Sequence, residues 1–224
     1  MIKAVIFDMY ETLITHYRCD TYFSDKMSAD AGIAFEKFLP AWRESEGERS
    51  VGKITFEQII EKILRDNNVY SDEVLDKICK KRTETKYKCF ENLHEEIIPM
   101  LEKLKKCGIK TALISNCSSE EAPVIRDSVL APYLGEMFLS WEQGLAKPDE
   151  EIFNRCVKAL GVKPQECLYI GDGGSYELET AKKLGMLSLQ AVWYLQEDNP
   201  YQYQRNMNFI QLENPLEIIK YLKK

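Results

Sequence analysis

Long apolar runs are missing from this 224-residue chain, and so are paired cysteines, paired histidines and blocks of positive charge. The opening apolar stretch MIKAVIF is cut off by Asp8 after too few residues for a signal peptide, and no later run approaches the roughly 18 residues that span a bilayer. The expectation is a cytoplasmic protein with no membrane contact. Cys19, Cys79, Cys89, Cys107, Cys117, Cys156 and Cys167 are scattered, odd in number and without a C-x-x-C pair. That pattern fits neither a disulfide framework nor a zinc site, and it suits small apolar residues in a reducing compartment. His16 and His94 lie far apart without metal-ligand spacing, and each reads as a surface or helix-end residue. Positive charge comes only in short groups such as Lys80-Lys81-Arg82, and 30 basic against 36 acidic side chains give a net charge of −6. Nucleic acid is therefore not an expected partner.

What is present is the balance of a globular protein, with 45% hydrophobic and 29% charged residues. No internal repeat or low-complexity tract interrupts it. Short apolar runs at 3–8, 109–115, 136–140, 167–172 and 187–193 alternate with helical patterns over the second half. This is the signature of a parallel α/β sheet, and near-continuous apolarity within each run says that helices cover both faces. Ile152, Phe153, Cys156, Val157 and Leu160 recur at helical spacing before Gly161, which predicts a helix from Glu150 to Leu160. Leu101, Leu104 and Gly108 mark another, with Pro99 either its first residue or a kink.

Residues 16–90 show no convincing strand and about three helical patterns, with a capping box at Thr55 to Gln58 and an N-cap at Ser71. The expected organisation is a Rossmann-like core of residues 1–15 and 91–224 with an all-helical insertion at 16–90. Within the insertion, EGERSVGK (46–53) reads as an exposed loop, and the C-terminal NPLEIIKYLKK as a last helix docked on the sheet.

Ligands of parallel open sheets bind beyond the carboxyl ends of the strands. Asp8, Ser115-Asn116 and Asp172 sit at such ends, and Lys147-Pro148-Asp149 opens the helix after the run at 136–140. Four polar clusters at four strand-to-helix junctions are hard to ascribe to solvation alone.

The stretches FDMYETL, LISN, AKPDEEIF with ALGVKPQECLYIGD, and GDGGSYELETAKKLG follow one another across nearly the whole chain. On these motifs the sequence resembles the haloacid dehalogenase-like hydrolase superfamily, and the helical insertion resembles its cap after the first strand. The resemblance makes Asp8 the nucleophile that forms a covalent aspartyl intermediate. It gives Thr12, Ser115 and Asn116 to the transferring group and Lys147 to the charge of nucleophile and substrate. It gives Asp172, Asp8 and the main-chain carbonyl of Tyr10 to Mg2+. Charge arithmetic agrees, since two carboxylates about 4 Å apart repel by about 4 kcal/mol at an effective dielectric of 20. A phosphate adds to that, so a lysine and a divalent cation are required to keep the nucleophile ionised.

Tyr10 divides the subfamilies. Phosphatases of this superfamily carry a second Asp there as general acid and base, whereas 2-haloacid dehalogenases carry a tyrosine. Gly171-Asp172, Glu177 and Phe153 favour the phosphatases. The segment AWRESE resembles a dehalogenase cap segment and makes Arg43 a candidate anion-binding residue. The expected activity is thus a Mg2+-dependent phosphatase of a small phosphorylated metabolite. The alternatives are a metal-independent 2-haloacid dehalogenase and a catalytically weak phospholigand-binding protein. Tyr10 or Glu11 stands where the missing acid is needed, the role of Glu177 is open because it comes five residues after Asp172, and oligomeric state is left open too.

Overall fold

Ala4, Val5, Ile6 and Phe7 have no exposed surface, and they form the central strand β1 (Ala4–Phe7). The computed structural model describes residues 1–223. After β1 come the helices α1 (Ser24–Ala31), α2 (Phe35–Glu44), α3 (Glu46–Ser50), α4 (Phe56–Asp66) and α5 (Asp72–Lys88). Then follow α6 (Ile97–Lys106), β2 (Lys110–Ser115), α7 (Glu121–Arg126), β3 (Glu136–Leu139), α8 (Ser140–Gln143) and α9 (Glu150–Leu160). The chain continues through β4 (Cys167–Gly171), α10 (Glu177–Lys183), β5 (Leu187–Ala191) and β6 (Ile210–Leu212) to a short 3-10 helix, Pro215–Tyr221.

The sheet has six strands in the order β3-β2-β1-β4-β5-β6, and every neighbouring pair is parallel. Alternation along β1 divides its side chains between two layers. Val5 and Phe7 pack with Ile97, Leu101 and Leu104 of α6, and Ala4 and Ile6 pack with Ile152, Phe153 and Cys156 of α9. The expected α/β, Rossmann-like architecture with helices on both faces is what forms. Strand order reverses direction around β1, so the ends of β1, β2 and β4 open on a common crevice.

Helix α9 spans the predicted residues and stops at Gly161, whose φ of +64° is the left-handed conformation that glycine adopts without a Cβ penalty. Pro99 is the third residue of α6. It is neither the helix start nor a kink, because the first turn has no intrahelical partner for its missing N–H. The capping box forms as expected: Thr55 Oγ1 accepts from the Gln58 N–H at 3.0 Å, and Gln58 Oε1 accepts from the Thr55 N–H at 2.9 Å.

Local detail differs from the expectation. Residues 46–53 are largely exposed as expected, but they are not all loop: Glu46–Ser50 is helical, and Arg49 is only 6% exposed. The sheet gains an edge strand, β6, whose three residues are too few to carry a periodic signal. The C-terminal segment forms the expected last helix, of 3-10 type, with Ile218 buried in the layer shared with α6. Between β1 and α6 the five helices α1 to α5 replace the roughly three expected, and α1, α2, α4 and α5 gather around Met27, Phe38, Phe56, Ile60, Ile63 and Ile78.

Candidate active site

Strand β1 ends at Phe7, and the next residue turns its carboxylate into the crevice. Asp8 Oδ1 accepts two hydrogen bonds, from the Lys147 ammonium at 2.5 Å and from the Met9 N–H at 2.7 Å. Oδ2 accepts none among the described residues. Burial pushes the Asp8 carboxyl up, Lys147 pulls it back, Glu177 pushes again, and it settles at about 6. Lys147 is itself 5% exposed and stays firmly cationic, because the fields of Asp8 and Glu177 outweigh its burial.

Asn116 fixes the lysine from the end of β2. Its Oδ1 accepts from the Lys147 N–H at 2.7 Å, and its Nδ2 donates to the Lys147 carbonyl at 3.0 Å. Ser115 is fully buried beside it, and its hydroxyl makes only a 3.3 Å contact to the Asn116 carbonyl. Thr12 is also fully buried, with its carbonyl accepting from Trp193 Nε1 at 2.9 Å. Its Oγ1 has no hydrogen-bond partner among the described residues. A buried orphan hydroxyl costs free energy unless a ligand engages it.

Oxygens of Asp8, Asp172 and Glu177 lie within 4.8 Å of one another. Burial first, then Glu177 and Asp8, hold the Asp172 carboxyl well above its ordinary value. Three acids in a crevice with a single lysine are short of positive charge, and an oxygen-only donor set suits a hard cation such as Mg2+. Glu177 does a second job. Its two oxygens accept from Gly173 N–H at 2.8 Å and Ser175 N–H at 2.6 Å, clamping the loop that carries Asp172. Gly171 is the residue that lets it approach, since a Cβ there would stand 2.7 Å from Glu177 Oε1 and 3.2 Å from the Tyr169 ring.

Tyr10 departs from this group. Its ring stacks on His16 with centroids 4.5 Å apart, and the Lys86 ammonium lies 4.8 Å from the ring centre. Burial and then the field of Glu121 raise its phenol well above the ordinary 10, so tyrosinate is absent at neutral pH. Of the two places expected for His16, the surface and a helix end, it takes the second, as the first residue of the 3-10 helix His16–Arg18. Its side chain is 17% exposed, and Nε2 lies 2.7 Å from Lys86 Nζ. The cause is the 3-10 turn His16–Arg18, capped by Thr15, which folds the ring back against Tyr10.

Glu11 has φ of +55°, a conformation that costs a non-glycine residue about 1 kcal/mol. Its carboxylate is saturated by Thr15 Oγ1 at 2.6 Å, the His16 N–H at 3.0 Å and Gln202 Nε2 at 2.7 Å. Burial raises this acid, but the hydrogen bonds from His16 and Thr15 win and lower it. An acid held ionised in this way cannot give up a proton.

A cavity of about 750 Å³ lies between the α1 to α3 helices and the loop after β2, reaching from Asn116 to Trp42. Arg43 is exposed at its margin, whereas Arg49 is buried in its wall. Arg43, the candidate anion-binding residue from sequence, thus borders the cavity, and sequence reading did not single out Arg49 beside it. The signal it passed over is that Arg49 follows Trp42 by seven residues, two helical turns. It also passed over Leu75, Ile78, Arg82 and Lys86, a core-facing stripe of α5 that ends in two cations. These meet α7: Lys86 Nζ is 2.5 Å from Glu121 Oε1, and Arg82 Nε is 3.1 Å from Glu120 Oε1.

A family model described as haloacid dehalogenase-like hydrolase matches residues 2–185. Two curated relatives are named glyceraldehyde 3-phosphate phosphatase. That of Methanocaldococcus jannaschii is 30% identical over 132 residues, 57% of this chain and 56% of that protein, so the match spans little more than half of its length. That of Methanopyrus kandleri is 24% identical over 204 residues, 85% of this chain and 84% of that protein. Among solved structures, L-2-haloacid dehalogenase from Xanthobacter autotrophicus with covalently bound chloropropionic acid superposes with a TM-score of 0.66 at 15% identity, over 100% of this chain and 99% of the other. A Bacteroides thetaiotaomicron enzyme in complex with magnesium and inorganic phosphate gives 0.65 at 18% identity, over 90% and 98%. At these identities both likenesses are likenesses of fold. No helix among the described residues is long and apolar enough to cross a membrane.

Proposed function

Because this chain belongs to the haloacid dehalogenase-like hydrolases, we propose that it is a Mg2+-dependent phosphatase of a small phosphorylated metabolite, working through an aspartyl-phosphate on Asp8. The observation that carries the proposal is Asp8 Oδ2, left free beside a lysine-held Oδ1 and within a cluster of three carboxylates. A dehalogenase has no use for two further acids, which repel its carboxylate nucleophile. The names of the relatives and the magnesium and phosphate bound to the B. thetaiotaomicron enzyme support the same reading.

Asp8, Asp172 and the Tyr10 carbonyl would hold Mg2+, with Glu177 behind them, and the ion would neutralise phosphoryl and carboxylate charge. Lys147 keeps Asp8 ionised and covers one face of its charge, leaving Oδ2 to form the bond to phosphorus as the ester oxygen departs. Thr12 and Ser115 supply side-chain hydrogen bonds to the transferring phosphoryl group, filling the orphan valence of Thr12, and the main-chain N–H groups around Asn116 add to them. Water then attacks the acyl phosphate and releases inorganic phosphate. Residues 16–90 act as a cap over the core of 1–15 and 91–224, and exclude bulk water from that step.

Neither Tyr10 nor Glu11 protonates the leaving oxygen: the first is turned onto His16, the second is held ionised. Substrates with acidic leaving groups should therefore turn over faster than alkyl esters. Phosphate release from alkyl, aryl and acyl phosphates, with and without Mg2+, tests the proposal, and release that ignores Mg2+ or is absent throughout sinks it. On the same panel Tyr10→Phe should stay within about threefold of wild type. Tyr10→Asp should gain about 100-fold on alkyl phosphates and nothing on aryl ones, the lower end of what a placed general acid supplies. No gain on either class would count against the missing acid as the limiting feature.

A further inference from the structure

Arg49 is a buried cation, 6% exposed, without an ion-pair partner among the described residues. The side chain is held on three sides: Nε donates to Ser45 Oγ at 2.9 Å, one terminal nitrogen to Ser118 Oγ at 3.3 Å and the other to the Trp42 carbonyl at 3.3 Å. The Trp42 ring lies under the guanidinium, 3.5 Å from its carbon. A guanidinium has five N–H donors in a planar fork, so one N–H on each terminal nitrogen is left over. No carboxylate forms an ion pair with Arg49 among the described residues. Glu120 supplies the largest attractive field, but it does so from beyond ion-pair distance while its Oε1 pairs with Arg82. Around this end of the cavity, among the described residues, Arg49, Arg82 and Lys86 face Glu120 and Glu121 as carboxylates with buried side chains. Arg43, Asp25 and Glu46 also border the cavity, as exposed residues at its mouth.

A buried, immobilised cation with a spare fork and no carboxylate within ion-pair distance is costly for an empty wall and well suited to a carboxylate, which such a fork grips bidentately. Its position limits the ligand. Arg49 and Asn116 line the same cavity, and Ser118, which holds the fork, comes two residues after Asn116, so their α-carbons are at most about 7 Å apart. Resting on the phosphatase reading, the geometry points to a substrate class: short phosphate esters whose far end carries a carboxylate, with Arg49 as the specificity-determining residue. Ser118 and Trp42 hold the fork in place, and the apolar wall of Phe23, Phe35 and Leu39 takes the carbon chain.

The test compares phosphoglycolate and 3-phosphoglycerate with hydroxyethyl phosphate and glycerol 3-phosphate, which replace the carboxylate by a hydroxymethyl group. Wild type should prefer the carboxylates by about 10- to 100-fold in kcat/KM, the range of one charge-assisted pair. Arg49→Met should erase that preference while leaving the neutral esters within about threefold, and Arg49→Lys should retain part of it. Equal losses on both classes, or a preference that survives Arg49→Met, overturn the assignment. Calorimetric titration of the same four esters into Asp8→Asn and Asp8→Asn/Arg49→Met proteins separates it from the phosphatase reading. An Arg49-dependent carboxylate preference in binding, without turnover by wild type, keeps the subsite and removes the phosphatase. Turnover without the preference does the reverse, and binding of none of the esters removes the subsite.

Discussion

Asp8→Asn should abolish phosphate release, by at least about 10⁴-fold, while leaving the protein folded. The amide keeps the size and the Oδ1 acceptor, so the Lys147 and Met9 hydrogen bonds survive. What disappears is the charge and lone-pair basicity of Oδ2, and with them the covalent intermediate, a loss of the size seen when a nucleophile is removed. The fold should not suffer in the absence of metal. Burial and Glu177 lift the Asp8 carboxyl to about 6 in spite of Lys147. A folded-state value above the unfolded one means that ionisation is harder in the fold, so above that pH the charge costs stability. Thermal unfolding at pH 8 without Mg2+ should therefore give Asp8→Asn a midpoint equal to or above wild type. Retained turnover would remove Asp8 as nucleophile, and a large fall in the midpoint would remove the account of its charge.

The same balance explains which parts of this molecule could be read from sequence. Asp8, Asn116 and Asp172 follow strands whose apolar runs are unmistakable, and a polar residue directly after such a run has few places to go except the crevice. Lys147 was legible from its motif, and the structure shows why its position is fixed: two hydrogen bonds to Asn116 tie its backbone to β2. Arg49 was hidden because a charged stretch with two glycines reads as a solvated loop, and only the packing of Trp42 against it turns the charge inward. His16 and Glu11 were hidden for a related reason. Their burial depends on a left-handed turn and on Gln202, a partner 191 residues away in sequence. Local pattern records which face of a helix or strand is apolar, and does not record ion pairs assembled from distant segments.

Such an assembly holds the helical layer to the sheet, and breaking it should produce the largest stability effect in the molecule. Glu121 accepts from Lys86 at 2.5 Å, lies 3.6 Å from Arg82 and takes the Ser118 N–H at 2.8 Å. Glu121→Ala should cost about 3 to 5 kcal/mol, because removing one member of a buried ionic group leaves the others uncompensated. For a chain of this length that corresponds to a fall of roughly 10 °C in the unfolding midpoint. The lower end of the range is expected, since burial and Arg82 already depress the Lys86 ammonium, which can release its proton in the variant. Glu121→Gln, which keeps the shape and the Ser118 contact, should lose less and with the same sign. The pH dependence supplies an independent check. Burial raises Glu121, but Lys86 and Arg82 outweigh it and bring the carboxyl from the ordinary 4.5 to about 2. Between those values the unfolded chain binds a proton that the folded chain does not, so stability present above pH 4.5 falls away as the pH drops toward 2. His16, held neutral down to about 4 by burial and Lys86, adds its own loss between about 6.5 and 4. Asp8 and Asp172, both raised, act in the opposite sense as pH falls toward 4 and partly mask the histidine. The clean signature is therefore the lower window, where wild type should show a steep loss and Glu121→Gln a shallow one. Parallel acid limbs in chemical unfolding would mean that Glu121 does not carry the charge pairing at this junction.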